Sequence, residues 1–425
     1  MFKSFFPQPK LYFASFAVWS LLCVCAWFFL FRDLGDSLSL GPLFGMGFPD
    51  LPTEANAEIS GALQSAQTYA ENFYFYQYFI ITILLFCGFW FWYSPHRWQR
   101  WSVAGSAVII FVNWFLVQLD VMINEWFGDF YNLIQKALGA PNSVTGEEYY
   151  WTIFTFLQIA MVYVFVATIF RFFVSHYVFR WRNAMNDYYM RHWPKLRRIE
   201  GASQRVQEDT QRFASITEGL GLSFVDSLMT LIAFLPLLWG LSAQVTELPI
   251  IGEVSQGLVF VVIIWSVFGT ALVAVAGIKL PGLQFNIQLT EAAYRKELVF
   301  GEDHEDRAQP LTVKELFDNV RHSYFRLYFH YVYFNLVRIF YLQFGNLIPY
   351  IALGPTIISG AITLGVMQQI IRAFGRVESS FQFLINSWST IVELMSVHKR
   401  LMAFESVIGP DDLAPDEFAP QQPAR

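Results

Sequence analysis

Charge is scarce in this chain of 425 residues: Asp, Glu, Lys and Arg make up 15% of it, against roughly 25% in an ordinary soluble domain. Together with 55% hydrophobic and 19% aromatic residues, that shortage excludes a typical soluble enzyme. Cysteine is scarce too. Three residues, two of them Cys23 and Cys25 in one apolar stretch, supply neither a disulfide framework nor a four-thiolate metal site. Basic residues do not outnumber acids, and the formal net charge of −6 argues against nucleic acid, which needs a surplus of Lys and Arg on one face. The sequence contains no Gly-x-x-x-x-Gly-Lys-[Ser/Thr] phosphate loop, whose backbone N–H groups and Lys would hold a nucleotide. It shows neither a nucleophile with its base nor a His/Glu metal cluster, so we expect no enzyme, no cofactor and no metal. What the chain has in abundance is long apolar runs, the mark of a membrane protein.

Taking about 20 apolar residues as the length that crosses a bilayer, eight spans are expected, at about 12–31, 72–93, 101–122, 149–175, 222–241, 257–277, 328–349 and 350–371. The first ends in Phe28-Phe29-Leu30-Phe31 followed by Arg32-Asp33, with no small-residue cleavage site, so it reads as a retained anchor rather than a signal peptide. The turn around Gly345-Asn346 and Pro349 would separate the last two. Lys3, Lys10, Arg97, Arg100, the basic stretch 180–212, the segment 279–326 and the tail after Arg372 fall on one side. Arg32 and Lys136 are the only basic residues of the opposite loops, so both termini are expected in the cytoplasm. The outer loops are acidic, with Asp33, Asp36, Asp50, Glu54, Glu58, Glu71, Glu125, Asp129, Glu147, Glu148, Glu247 and Glu253. Such a face either keeps to the orientation rule and solubility or attracts cationic cargo.

The cytoplasmic segments do not read as loops. Residues 176–193 continue the fourth span without Gly or Pro, and 203–218 lead helically into the fifth. The sixth span likewise continues from Gln284 to Leu298, and Val313 to Arg326 lead back into the seventh. Two long helical hairpins with tips near 194–202 and 301–310 follow. Spans three to eight then have the layout of the membrane half of an ABC exporter, with residues 1–93 as accessory spans, 94–405 as a six-helix body and 406–425 as a short polar tail. The expected fold is all-α, integral to the membrane, with about eight transmembrane helices, a type IV exporter-like body and a homodimeric assembly. After Arg400 about 25 residues remain, too few for an ATP-binding domain, so either a separate ATPase or an ion gradient would supply energy.

Several motifs carry a more specific likeness. They are Met1-Phe2-Lys3-Ser4-Phe5-Phe6-Pro7, Tyr93-Ser94-Pro95-His96-Arg97-Trp98, Phe173-Val174-Ser175-His176-Tyr177-Val178-Phe179-Arg180-Trp181-Arg182, Gln204-Arg205-Val206-Gln207-Glu208-Asp209, Glu291-Ala292-Ala293-Tyr294-Arg295-Lys296-Glu297-Leu298 and Arg326-Leu327-Tyr328-Phe329-His330-Tyr331. In order and over about residues 90–405, the chain resembles the SbmA/BacA family of bacterial peptide transporters. That resemblance implies a homodimeric inner-membrane importer without ATPase domains, driven by protons. Its implied cargo is proline-rich and other cationic antimicrobial peptides, peptide antibiotics and bleomycin-like compounds. It also implies glutamates lining the cavity, which on matching motifs are Glu208, Glu218 and Glu291, with Arg205 beside them.

The residues themselves separate these candidates. Glu208 with Arg212, and Glu291 with Arg295, stand four apart with Glu on the N-terminal side, which also suits a solvated surface pair worth about 0.2–0.5 kcal/mol. Glu218 has no Lys or Arg within four residues and stands where the helix enters the membrane. Glu200 would share its face on an unbroken helix, but Gly201 and Pro194 make it a tip residue. Asp120 and Asp226 lie within spans, where an acid is expensive and faces protein or water; Asp226 is a further coupling candidate on that ground alone. Arg338 needs a partner by the same reasoning, and an ion pair is expected. The runs Phe73-Tyr74-Phe75-Tyr76 and Phe89-Trp90-Phe91-Trp92-Tyr93 read chiefly as interfacial anchors, while His96, His176 and His330 show no ligand spacing.

The expected function is proton-driven peptide import, with peptides, protons, lipid and a second copy of the chain as partners, and neither nucleic acid nor nucleotide. The alternative is a transporter of very-long-chain fatty acids or lipid A precursors with a separate ATPase, which would need an apolar lateral opening rather than an acidic cavity.

Overall fold

The structure is a computed structural model that describes residues 1–49, 61–199, 202–245, 247–249, 252–254, 256–304 and 306–408. Glu200, Gly201, Asp50, Glu54 and Glu58 lie outside the described residues. Among the described residues, eleven long helices carry the fold: α1 (Pro9–Ala26), α2 (Gly61–Tyr93), α3 (Ser106–Gly139), α4 (Gly146–Arg191), α5 (Thr210–Ser242), α6 (Gly257–Gly277), α7 (Leu280–Asp303), α8 (Pro310–Gly345), α9 (Ile348–Ile358), α10 (Leu364–Phe381) and α11 (Phe383–Glu405). A two-stranded antiparallel hairpin, β1 (Glu247–Leu248) with β2 (Gly252–Glu253), joins α5 to α6.

Among the described residues, seven helical stretches are long and apolar enough to cross a membrane: Pro9–Leu38, Ala66–Tyr93, Arg100–Gly139, Gly146–Arg191, Ala202–Ser242, Gly257–Glu302 and Pro310–Ile358. Both expected cytoplasmic hairpins are present as helix pairs. Trp181 of α4 packs edge-on against Phe213 of α5, with ring centroids 5.8 Å apart. In the other hairpin, Leu280, Leu283 and Ile287 of α7 bury against Leu327 of α8. Its tip is fixed by Glu297, whose Oε1 accepts the Ala308 N–H at 3.2 Å and whose Oε2 lies 3.7 Å from Arg307.

The last two spans differ from the sequence expectation. The residues around Gly345 and Pro349 bend the chain and do not reverse it, because Asn346 and Leu347 both keep right-handed helical backbone. Pro349 occupies the first turn of α9, where its missing N–H goes unmissed. One span therefore runs from Pro310 to Ile358. The reversal comes after it, at 359–363, where Gly360 takes a left-handed φ of 69°. The return arm is α10, which begins at the Thr363 cap, whose side chain accepts the Val366 N–H. Gly345 on the outgoing arm lies against Glu378 on the return arm, so the two arms run antiparallel. The expected eighth span at 350–371 thus straddles a turn. Arg372, Arg376 and Glu378, assigned by the sequence reading to a cytoplasmic tail, sit on a helix packed among others.

The chain resolves into two compact units, one formed by Met1–Phe111, Phe173–Ala214 and Arg400–Arg425, the other by Val112–Phe172 and Ser215–Lys399. The first is held together by aromatics. Phe5 is fully buried and stacks on Trp181 at 5.6 Å. Tyr74, Tyr78 and Trp19 hydrogen-bond to the backbone oxygens of Phe31, Cys23 and Thr82, and Trp90 Nε1 donates to Ser15 Oγ at 3.2 Å. The aromatic runs of α2 therefore seal α1 to α2, a role the interfacial reading missed. In the second unit Phe234, Leu258, Leu353, Ile370 and Phe374 form a fully buried cluster. There α10 crosses α3 closely. Any Cβ on Gly365 would collide with the Gly128 carbonyl oxygen, so glycine sets the distance between the helices.

Candidate functional site

The second unit gathers charged and polar side chains at the depth of its apolar helices. Asp120 of α3 accepts from two arginines of α10: Arg372 reaches Oδ1 at 2.8 Å and Arg376 reaches Oδ2 at 2.6 Å. Arg372 also lies over the Phe127 ring, 4.8 Å from its centroid. Spacing explains the pairing, since residues four apart stand one above the other on one helix face. Asp226 of α5 lies beside this cluster. It faces the side chain of Asn113 and feels the charges of Arg376 and Asp120, yet among the described residues no cation comes within ion-pairing distance of it. It is exposed on the surface of the chain.

Glu218 stands eight residues before Asp226 on the same helix, about 12 Å along the axis and about 80° around it. It is partly buried and has no hydrogen-bond or ion-pair partner among the described residues. Glu291 of α7, also partly buried, faces the Tyr324 hydroxyl of α8. The surface pair expected between Glu291 and Arg295 does not form, because the carboxylate turns toward the opposite helix of the hairpin.

Two candidates fall in the first unit and are held by neighbours. Glu208 accepts from Arg212 at 2.8 Å and from Gln204 at 3.0 Å, with Glu208 and Arg212 both about half exposed. That is the solvated helix pair that spacing allowed. Arg205 places its guanidinium 5.7 Å from the centre of the Phe404 ring. The buried acid here is Asp209, the residue after Glu208, whose side chain is 6% exposed and is gripped by Arg400 Nε at 3.1 Å and Nη2 at 2.8 Å. Sequence reasoning missed this pair, since its members stand 191 residues apart.

A second omission is Glu378. Its Oε1 accepts the Trp265 indole N–H at 2.9 Å and the Gln382 amide N–H at 3.0 Å, and Tyr341 faces it. Arg338, expected to find an acid, instead donates to Asn386 Oδ1 at 3.3 Å. In the loop between α2 and α3, burial and the Arg191 guanidinium pull His96 down from 6.5 to about 4, so it stays neutral and its Nδ1 accepts the Trp98 N–H. No group of His, Cys, Asp and Glu able to hold a metal occurs among the described residues.

The model of the SbmA/BacA-like family matches residues 95–409. Among curated proteins, the chain is 24% identical over 332 residues to the inner membrane ABC transporter ATP-binding protein YddA of Escherichia coli, covering 73% of this chain and 58% of that protein. It is 25% identical over 337 residues to an uncharacterized ABC transporter ATP-binding protein of Synechocystis, covering 74% and 48%. ABC transporter D family member 2, chloroplastic, of Arabidopsis thaliana is 23% identical over 254 residues, covering 54% and 33%. The chain spans about half the length of the curated relatives it matches. It belongs to the SbmA/BacA-like family, and seven of its helical stretches among the described residues are long and apolar enough to cross a membrane.

Proposed function

We propose that the chain is a bacterial inner-membrane secondary transporter that imports peptides, chiefly proline-rich and other cationic antimicrobial peptides, peptide antibiotics and bleomycin-like compounds, using the proton gradient. Family membership supports the transporter part. The observation that carries the proton part is Glu218: an acid on a membrane helix, partly buried and without a partner among the described residues. An acid left uncompensated at that depth is a default functional residue. A carboxyl whose surroundings change as the cavity opens to one side and then the other changes its proton affinity, so it takes up a proton outside and gives it up inside once in each cycle that carries cargo inward. Asp226 and Glu291 would extend the same path. Glu208 and Arg205, already engaged, would shape the hairpin rather than carry protons.

The working unit in this reading is a homodimer with both termini in the cytoplasm. In support, no residue in the most apolar window of α4 is buried within its own chain, leaving that helix for lipid or a second copy. Uptake of a fluorescent proline-rich peptide into proteoliposomes tests the proposal. Accumulation under an inward-directed proton gradient, abolished by an uncoupler, is expected; uptake indifferent to the uncoupler would rule out proton drive.

A second reading takes its support from the names of the relatives, which are ATP-binding proteins whose matched part is about half their length. A separate ATPase would then power the membrane body, with fatty-acyl or lipid A precursors as the alternative cargo. Uptake that requires ATP and a copurifying ATPase would favour it.

A further inference from the structure

Glu378 is 9% exposed, and every group that meets its carboxylate is neutral. Trp265 Nε1 of α6 and Gln382 Nε2 both donate to Oε1, and the Tyr341 hydroxyl of α8 faces the same carboxyl while accepting from Gln382 at 3.3 Å. The ring of Tyr341 stacks on Trp265 with centroids 5.2 Å apart, closing the pocket on one side. On another side is Gly345, the last residue of α8. A Cβ built there would lie 2.6 Å from Glu378 Oε1, so the carboxylate rests directly on backbone at the bend between α8 and α9.

The charged residues nearest in sequence are turned away. Arg372 and Arg376, on the same helix, are committed to Asp120. Among the described residues of α6 and α8, the only other titratable group that faces Glu378 is Tyr341. A lone carboxylate buried without a cation is costly, whereas its protonated form fits the same neutral partners and adds a donor of its own. Three neutral contacts hold the carboxyl in place in either state, so a proton can come and go without the pocket being rebuilt.

We propose that Glu378 is a proton-binding site of this transporter, built by Trp265, Tyr341, Gln382 and the bare backbone of Gly345. No motif in the sequence reading includes it. Its part in the transport cycle rests on the proton-driven reading above; its existence as a proton site does not.

Infrared difference spectra of the purified protein in lipid nanodiscs, recorded through a pH titration, read the protonated carboxyl directly. A C=O band of a buried carboxylic acid that bleaches on raising the pH and is missing from Glu378→Gln is expected. Spectra of Glu378→Gln that keep every band of the unsubstituted protein would overturn the proposal. Trp265→Phe guards against a variant that does not fold: removal of the indole donor should shift the same band, and an unmoved band would contradict the assignment. In proteoliposomes, Glu378→Gln should lose about tenfold or more of gradient-driven peptide uptake while half-saturation for peptide stays unchanged. If the band is present and uptake ignores the gradient, the proton-driven reading fails and the site stands. If uptake follows the gradient and the band is absent, the site fails and the reading stands.

Discussion

Of the acids in the first unit, Asp209 and Glu208 are both met by an arginine: Arg400 grips Asp209 with two hydrogen bonds and Arg212 meets Glu208 in a surface pair. In the unit that contains Glu218, Asp226 and Glu378, none of these three acids has a cation within ion-pairing distance among the described residues, although Asp120 of the same unit has two. The two sets of carboxylates have similar chemistry and opposite consequences. A paired acid has its charge met by a cation and contributes to the stability of the fold, whereas an acid at membrane depth with no cation beside it is free to serve a function. The contrast sorts structural acids from candidate working acids without reference to their distance along the chain.

The sharpest way to break this comparison is to neutralise an unpaired acid. Glu218→Gln should reduce gradient-driven peptide uptake by about tenfold or more with unchanged thermal stability in detergent. Undiminished uptake would remove Glu218 from the mechanism. Next comes the paired side. Arg400→Met strands Asp209 as a buried charge and should cost about 2–3 kcal/mol, less than a fully buried pair because the Arg400 side chain is 42% exposed. The measurement is the unfolding midpoint, and restoring much of the loss with Asp209→Asn in the same chain would show that the stranded charge is responsible.

A smaller effect is expected at His96. Because the fold holds its pKa down near 4, its contribution to stability is complete above about 6.5 and is lost as the pH falls toward 4. His96→Asn keeps an acceptor for the Trp98 N–H and removes the titration, so its unfolding temperature should fall less between those pH values than that of the unsubstituted protein. Equal acid sensitivity would refute the assignment. Smallest of all, Glu208→Gln should cost no more than about 0.5 kcal/mol, the worth of an exposed helix pair, and leave uptake within about twofold. A loss of uptake as large as that of Glu218→Gln would erase the distinction between the two units' acids.

Much of this was legible beforehand for identifiable reasons. The hairpins α4–α5 and α7–α8 could be read because long stretches run without Gly or Pro and their motifs are in order. The solvated pair of Glu208 with Arg212 followed from their spacing. The last two spans were not legible. Gly345, Asn346 and Pro349 have the composition of a reversing turn, yet the backbone stays helical there and the reversal falls at Gly360. The return helix α10 carries Arg372, Arg376 and Glu378, which lower its apolar character and made it look cytoplasmic. Their partners, Asp120 and Trp265, lie more than a hundred residues away, and no local pattern announces them. Arg338 shows the same limit in reverse, since the amide of Asn386 took the place of the expected acid.

Proton movement tied to cargo is the core of the account, and a pH-sensitive dye sealed inside proteoliposomes reads it most directly. Addition of a cationic proline-rich peptide to the outside, in the absence of ATP, should acidify the lumen with the unsubstituted protein and leave it unchanged with Glu218→Gln. Peptide entering with no acidification, or entering only when ATP is supplied, would contradict it.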